Sequence, residues 1–238
     1  MEENLRKEMS RLSCVDLARG IGILAIVYGH ASRDVGLLAR AVYSFHVVLF
    51  VLLSGYVYRQ KDSFVVHLKT SARRLLVPYV IWSFISMGIY LMLGKIAAEA
   101  LGSELYSLGD NLIFMLKGLS IGNAALWYLP FLFTSGLLMY GYIHLLQRWN
   151  PEKPGEKVTA VAFPALFSLV TLGIYSRYQY RCPIDFPFGI NNACFLFVFF
   201  FLGLVLRRTV TYMNSSFSRA WRSFPRMRNS MDAILLSE

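Results

Sequence analysis

Residues 13–32 read SCVDLARGIGILAIVYGHAS and decide the fold class, because they form an apolar run long enough to cross a membrane as a helix. A spanning helix needs about 20 mostly apolar residues. The same criterion, applied along the whole chain, finds six candidate spans: 13–31, 42–58, 75–94, 126–146, 158–175 and 190–206. The sequence therefore predicts an all-α, polytopic transmembrane helix bundle.

The composition also favours a membrane protein over a soluble one. Of the 238 residues, 56% are hydrophobic and only 16% are charged, whereas an average soluble domain has roughly 25% charged and 45–50% apolar residues. This balance excludes a disordered chain. The net charge of +10 could indicate nucleic-acid binding, but the basic residues form short clusters between apolar runs. That pattern is typical of membrane topology signals, so we expect contact with membrane lipid and not with nucleic acid.

The distribution of Lys and Arg predicts the orientation of the bundle. With six spans and a cytoplasmic N-terminus, most of the 24 basic residues fall on the cytoplasmic side. Positive residues are retained on that side, so both termini are expected inside. Residues 95–125 are interpreted as an external loop with a re-entrant or surface-lying helix, because a span there would move two basic clusters outside. The predicted domains are a transmembrane domain, 1–208, and a basic cytoplasmic tail, 209–238.

Polar residues inside the first span are the strongest functional signal. A charged side chain at mid-membrane costs at least about 2.5–3.5 kcal/mol on insertion scales. Asp16 and Arg19 are three residues apart and can pair on a helix. Arg19 and His30 are eleven residues apart, which is about 20° from a whole number of turns, with a rise of roughly 16 Å. Both should face one side of the helix. The alternative is that Arg19 snorkels to the headgroups and His30 is an interfacial histidine.

The second span contains another titratable group, in the segment FHVVLFVLLSGY at residues 45–56. His46 should lie at about the depth of His30, so the two imidazoles could face a common cavity and shuttle a proton near neutral pH. Alternatively, His46 only caps or anchors the helix end. Ser54 and Gly55 are interpreted as a packing pair in preference to a chemical role.

The segment KTSARRLLVPY, residues 69–79, precedes the third span. Its basic residues fit ordinary cytoplasmic anchors, although guanidinium groups such as Arg73 and Arg74 also bind phosphate in bidentate fashion. Pro78 is predicted in the first turn of a helix. Trp127 and Tyr128 are predicted to form an interfacial aromatic belt at the start of the fourth span.

Several catalytic motifs are missing from the sequence. It contains no GxxxxGK[ST], no HExxH, no metal-type Cys/His spacing and no GxSxG. A histidine-based reaction without a metal is the expectation that remains for an enzyme.

Five ordered segments within residues 10–208 resemble the acyltransferase 3 family of bacterial membrane O-acyltransferases, especially its fucose 4-O-acetylase-like branch. The segments are VDLARGIGILAIVYGH (15–30), FHVVLFVLLSGY (45–56), RRLLVPY (73–79), LWYLPFLF (126–133) and PFGINNACFLFVFFFLGLVLRR (187–208). The resemblance implies transfer of an acyl group, usually acetyl from acetyl-CoA, to a hydroxyl of a cell-envelope glycan or lipid-linked sugar. It also implies the bacterial cytoplasmic membrane.

The resemblance assigns roles to particular residues. The family's key pair falls on Arg19 and His30, its basic motif on Arg73 and Arg74, and its FHxPLFFxxSG element on His46, Ser54 and Gly55, with Val48 in place of the proline. We therefore expect a catalytic group and a substrate-binding group. The catalytic group is His30 as general base or acyl relay and Arg19 paired with Asp16; the substrate-binding group is His46, Ser54, Arg73 and Arg74.

Other functions stay open at this stage. Family members usually have more spans than the six predicted here, so the chain is expected to be a C-terminally shortened member. An inactive remnant is therefore one alternative to the enzyme. Buried His, Arg and Asp also mark ion pathways, which makes a proton-coupled transporter the other.

Overall fold

The computed structural model describes residues 2–31, 37–61, 63–101, 106–120, 123–178 and 186–213. Throughout these ranges the regular structure is helical and no strand occurs, which confirms the predicted all-α class. The α-helices are α1 (Glu2–Ala31), α2 (Leu37–Val57), α3 (Phe64–Ser71), α4 (Val77–Leu101), α5 (Leu108–Leu116), α6 (Tyr128–Trp149), α7 (Pro154–Tyr178), α8 (Ile190–Phe195) and α9 (Phe197–Met213). A π-helical segment, Ala72–Leu76, joins α3 to α4, and 3₁₀ turns at Ala124–Trp127 and Pro187–Gly189 precede α6 and α8. Of the predicted tail, residues 214–238 lie outside the described residues.

Three helices are long and apolar enough to cross a membrane: Phe64–Gly94, Ala125–Trp149 and Pro154–Arg177. A fourth span results if Pro187–Phe195 and Phe197–Met213, bent by 65° relative to each other, are counted together. Only 17% of the apolar window is buried in the first and third of these helices, so their apolar side chains face outward, as lipid contact requires. The chain is a membrane protein, and the count of six spans and the cytoplasmic termini stay predictions.

The third predicted span is part of a longer helix than the sequence indicated. The helix runs without a break from Phe64 through the π segment into α4, instead of beginning at residue 75. Pro78 is the second residue of α4, as the first-turn prediction requires, but the π segment precedes α4 without a break in the helix. The π segment explains why a proline fits there. The amide of Val77 bonds to the carbonyl of Ala72, five residues back, which widens the turn just before the proline ring.

The short helix α5 belongs to the segment interpreted as a re-entrant or surface-lying helix. Its nine residues rise about 14 Å, too little to cross a membrane. At its C-terminal end, the carbonyls of Met115 and Leu119 accept hydrogen bonds of 2.7 and 3.0 Å from the Tyr79 hydroxyl. Tyr79 is buried and lies near the middle of the Phe64–Gly94 helix. This contact, well inside the bundle, favours the re-entrant alternative.

The core of the bundle depends on a close crossing of α2 and α9. A Cβ atom added to Gly55 would overlap the carbonyl oxygen of Phe200, and one added to Gly203 would overlap the carbonyl oxygen of Leu52. The two backbones are therefore in direct contact. Aromatic and aliphatic side chains pack around the crossing, among them Val51, Phe131, Met139, Phe197 and Phe200.

We predict that Gly55→Ala destabilises the protein strongly, because backbone atoms of α9 would have to move to admit the methyl group. Overpacking of this kind costs about 1–3 kcal/mol, which corresponds to a fall in Tm of about 2–12 °C. Gly141→Ala on α6 is the matched control, since nothing lies within 4 Å of the added methyl group. Thermal unfolding of the detergent-solubilised variants measures the difference, and equal Tm values for the two would contradict the crossing.

Candidate functional site

A cavity of about 660 Å³ is lined by residues of α1, α2, α3, α6 and α9 and of the π segment. Its wall includes Val15 and Arg19 of α1, the segment that ends α2, the side of α3, and Phe200 and Arg207 of α9. The side chain of Arg207 connects two of these elements, since its Nη1 atom donates a 2.7 Å hydrogen bond to the carbonyl of Tyr58 at the end of α2. This is the end of the molecule that the charge pattern predicts to be cytoplasmic.

The cavity is strongly basic. Five cations line it: Arg19, Arg59, Lys61, Arg74 and Arg207. No Asp or Glu belongs to its lining in the part of the chain that the structure describes. A concave surface with one sign of charge concentrates ligands of the opposite sign, so this cavity is suited to an anion.

Arg19 and Ser54 line the cavity, and Tyr128 of α6 contacts Ser54. The guanidinium of Arg19 is 3.4 Å from the carboxylate of Asp16. The positive charge of Arg19 also interacts electrostatically with the hydroxyl of Tyr128. The Ser54 hydroxyl donates to the carbonyl of Phe50 at 2.8 Å and lies 3.2 Å from the Tyr128 hydroxyl. Tyr128 therefore bonds to a cavity residue of another helix, and its place in an interfacial belt stays a prediction.

The two arginines of the π segment have different surroundings. Arg74 lines the cavity, whereas Arg73 is exposed and does not belong to the lining. Sequence reasoning treated them as equivalent phosphate ligands. Only Arg74 is placed by the structure beside the other cations.

His46 of α2 does not belong to the lining of this cavity. Gly22 packs against Phe50, and Arg19 and Ser54 line the same cavity, so α1 and α2 run antiparallel. With the two helices aligned in this way, residue 30 of α1 is level with Val42 of α2. Val42 is one helical turn from His46. The Nδ1 atom of His46 is 2.9 Å from the Val42 carbonyl oxygen. The side chain of His30 lies outside the described residues, and its helical position is roughly 16 Å along α1 from Arg19.

A histidine that the sequence analysis did not select lies in the cavity. His67 of α3 is only 5% exposed, and its ring packs against Tyr58 at 5.7 Å and Tyr140 at 5.0 Å between centroids. Its Nε2 atom is fully enclosed and faces Gly136 of α6, whose backbone interacts with the imidazole. The sequence carried little signal for it, because a single histidine in the segment FVVHLKTS has no recognisable spacing to another catalytic group.

The sequence analysis also failed to identify three further cations as residues that could bind a ligand. Arg59, Lys61 and Arg207 were interpreted only as topology signals, yet they line the cavity with Arg19 and Arg74. An adjoining cavity of about 640 Å³ shares Arg59 and Arg207 and adds Arg208. Among the described residues, no group of three His, Cys, Asp or Glu side chains could hold a metal ion.

Comparison with known proteins identifies the family. No curated protein and no solved structure matches the chain. The profile of a family described as an acyltransferase domain matches residues 12–225, which includes the first predicted span and all the cavity-lining residues. The match confirms the resemblance seen in the five sequence segments. The chain therefore belongs to the acyltransferase 3 family, whose members are enzymes that transfer an acyl group other than an aminoacyl group.

Proposed function

We propose that the protein is an O-acyltransferase of the bacterial cytoplasmic membrane that moves an acyl group, usually acetyl, from acyl-CoA to a hydroxyl of a cell-surface or exported glycan. The basic cavity at the predicted cytoplasmic end carries this proposal. The alternatives of a transporter and an inactive remnant have no comparable support in the described contacts.

The cavity has the properties that an acyl-CoA site needs. Its volume of about 660 Å³ is within the usual range for small-molecule sites. Arginine binds phosphate oxygens in bidentate fashion, and CoA carries its phosphates at one end of the molecule. Apolar side chains of Val57, Leu75, Leu132 and Phe200 also line the cavity and would contact the uncharged arm that leads to the thioester.

Arg19 and His30 are too far apart on α1 to act on the same atoms, so we assign them different roles. A rise of roughly 16 Å along α1 is more than an arginine side chain can reach. Arg19, held by Asp16, would therefore orient the donor and would not contact the carbonyl that is attacked near His30. Ser54 lies beside Arg19 and would assist the same task.

The acceptor reaction would take place at the other end of the α1–α2 pair. In the proposed step, His30 takes the proton from the acceptor hydroxyl, the oxygen forms an ester bond with the acyl carbon, and the carbon–sulfur bond of the thioester breaks. The CoA thiolate leaves and takes up the proton that His30 removed from the acceptor, which returns His30 to its neutral form. His46, one turn from the level of His30, would position the acceptor. Donor and acceptor would then approach from opposite faces of the membrane.

We predict that His30→Ala reduces acyl transfer about 10²–10⁴-fold, the usual contribution of a positioned general base. Transfer of labelled acetyl groups from acetyl-CoA to glycan in membrane vesicles measures the effect. His144→Ala is the control, because His144 is exposed on α6 and lines neither cavity. Unchanged transfer at equal protein levels would reject the role of His30.

A second prediction concerns the donor site. Arg74→Gln should weaken binding of acetyl-CoA about 10- to 100-fold, because a hydrogen bond to a charged group contributes about 1.5–3 kcal/mol. Arg148→Gln, on the exposed face of α6 and outside both cavities, should have little effect. Calorimetric titration of the purified protein measures both. Equal affinities of the two variants would show that the cavity does not hold the donor.

A further inference from the structure

The predicted cytoplasmic end of α9 carries a face that differs from the rest of the helix. Side chains spaced i, i+3, i+4, i+7 and i+8 lie on one side of a helix. On α9 this spacing joins residues that all line the second cavity, of about 640 Å³: Leu204, Arg207, Arg208, Thr211 and Tyr212. The apolar face of the helix therefore becomes a polar and cationic face within one turn.

Two other parts of the chain complete the wall of the second cavity. Tyr58, Arg59 and Gln60 come from the segment after α2, and Ile143 comes from α6. The 2.7 Å hydrogen bond from Arg207 to the Tyr58 carbonyl holds the segment after α2 against α9. The cavity is thus bounded by three elements, two of which are joined by a hydrogen bond.

The second cavity has a cation that the first cavity lacks. Arg59 and Arg207 line both cavities, whereas Arg208 lines only the second. Within the described ranges, no Asp or Glu contributes to the lining of the second cavity. A concave surface with one sign of charge concentrates ligands of the opposite sign. The second cavity is therefore suited to an anionic group of its own, next to the site proposed for the donor.

We propose that the second cavity binds a phosphate group through Arg208. A guanidinium group forms two parallel hydrogen bonds with phosphate oxygens, and Arg208 is exposed on the face of α9 that lines the cavity. The side-chain amide of Gln60 is a further hydrogen-bond donor in the wall. Arg59 and Arg207 add positive charge on the side that the two cavities share.

Two molecules would supply such a phosphate. CoA carries a 3′-phosphate on its ribose, apart from its pyrophosphate, so a donor in the first cavity would extend past Arg59 and Arg207 into the second; this source rests on the proposed function. An anionic phospholipid is the other source, because basic pockets between membrane helices on the cytoplasmic side bind lipid head groups. Leu204 and Ile143 would contact the apolar part of such a lipid.

The first test compares two forms of the donor. Acetyl-CoA and acetyl-dephospho-CoA share the thioester, the pantetheine arm and the pyrophosphate, and differ only in the 3′-phosphate. If CoA supplies the phosphate, Arg208→Gln should weaken binding of acetyl-CoA about tenfold, the effect of one lost hydrogen bond to a charged group, and change binding of the dephospho form less than about twofold. Arg208→Lys keeps the charge and should recover part of the affinity. Calorimetric titration of the purified protein measures all of these affinities.

The second test is a titration with short-chain phosphatidylglycerol in neutral detergent. If a lipid supplies the phosphate, Arg208→Gln should weaken binding of phosphatidylglycerol about tenfold, and any effect on the donor should be the same for its two forms. The control in both tests is Arg148→Gln, which removes a charge from the exposed face of α6 outside both cavities. We expect this control to bind every ligand within about twofold of the wild type.

The outcomes separate this inference from the proposed function. If Arg208→Gln binds all three ligands as the wild type does, or loses both forms of the donor equally with no change in lipid binding, the inference is overturned while the proposed function stands. A wild-type protein that binds neither form of the donor overturns the proposed function, and the lipid titration then decides the inference alone.

Discussion

The direct backbone contact between α2 and α9 at Gly55 and Gly203 is the constraint on which the rest of the structure depends. Helices in a membrane gain little from burying apolar surface against each other, because lipid is equally apolar, so close packing of small residues has to hold them together. The crossing places Phe200 against the ring of Tyr58 and brings Arg207 to the Tyr58 carbonyl. One wall of the basic cavity exists because these two helices touch.

The cavity follows from this packing together with the long third helix. The π segment before Pro78 keeps α3 and α4 in one continuous helix, and so carries His67 and Arg74 to the end of the bundle where α2 and α9 finish. Five cations then surround a space to which the described residues contribute no carboxylate. Their mutual repulsion favours an anionic ligand, and the acyl-CoA donor that we propose is an anion.

Much of the fold could be predicted from the sequence, and part of the site. Apolar run lengths are a local property, so the helical membrane class and the long apolar helices of the third, fourth and fifth predicted spans were recognised correctly, while the count of six spans stays a prediction. The Asp16–Arg19 contact is also local, since a helix brings residues three apart together. The interpretation of Ser54 and Gly55 as a packing pair holds for Gly55, while Ser54 also bonds to Tyr128 and lines the cavity. The continuation of the helix through the π segment before Pro78 was not predicted, because a π turn leaves no simple trace in the sequence.

By itself, the sequence determined which segments are helical and apolar, which family the chain resembles, and that Arg19 and His30 lie three turns apart on one helix. Only the tertiary structure decided which side chains share a cavity. His67, Arg59 and Arg207 come from separate parts of the chain, and Arg74 lines the cavity where Arg73 does not. The physical reason is that hydropathy and charge indicate only how deep in the membrane a segment of the chain lies. Contacts between helices depend on how closely their backbones approach and how each helix is rotated, which small residues and irregular turns control.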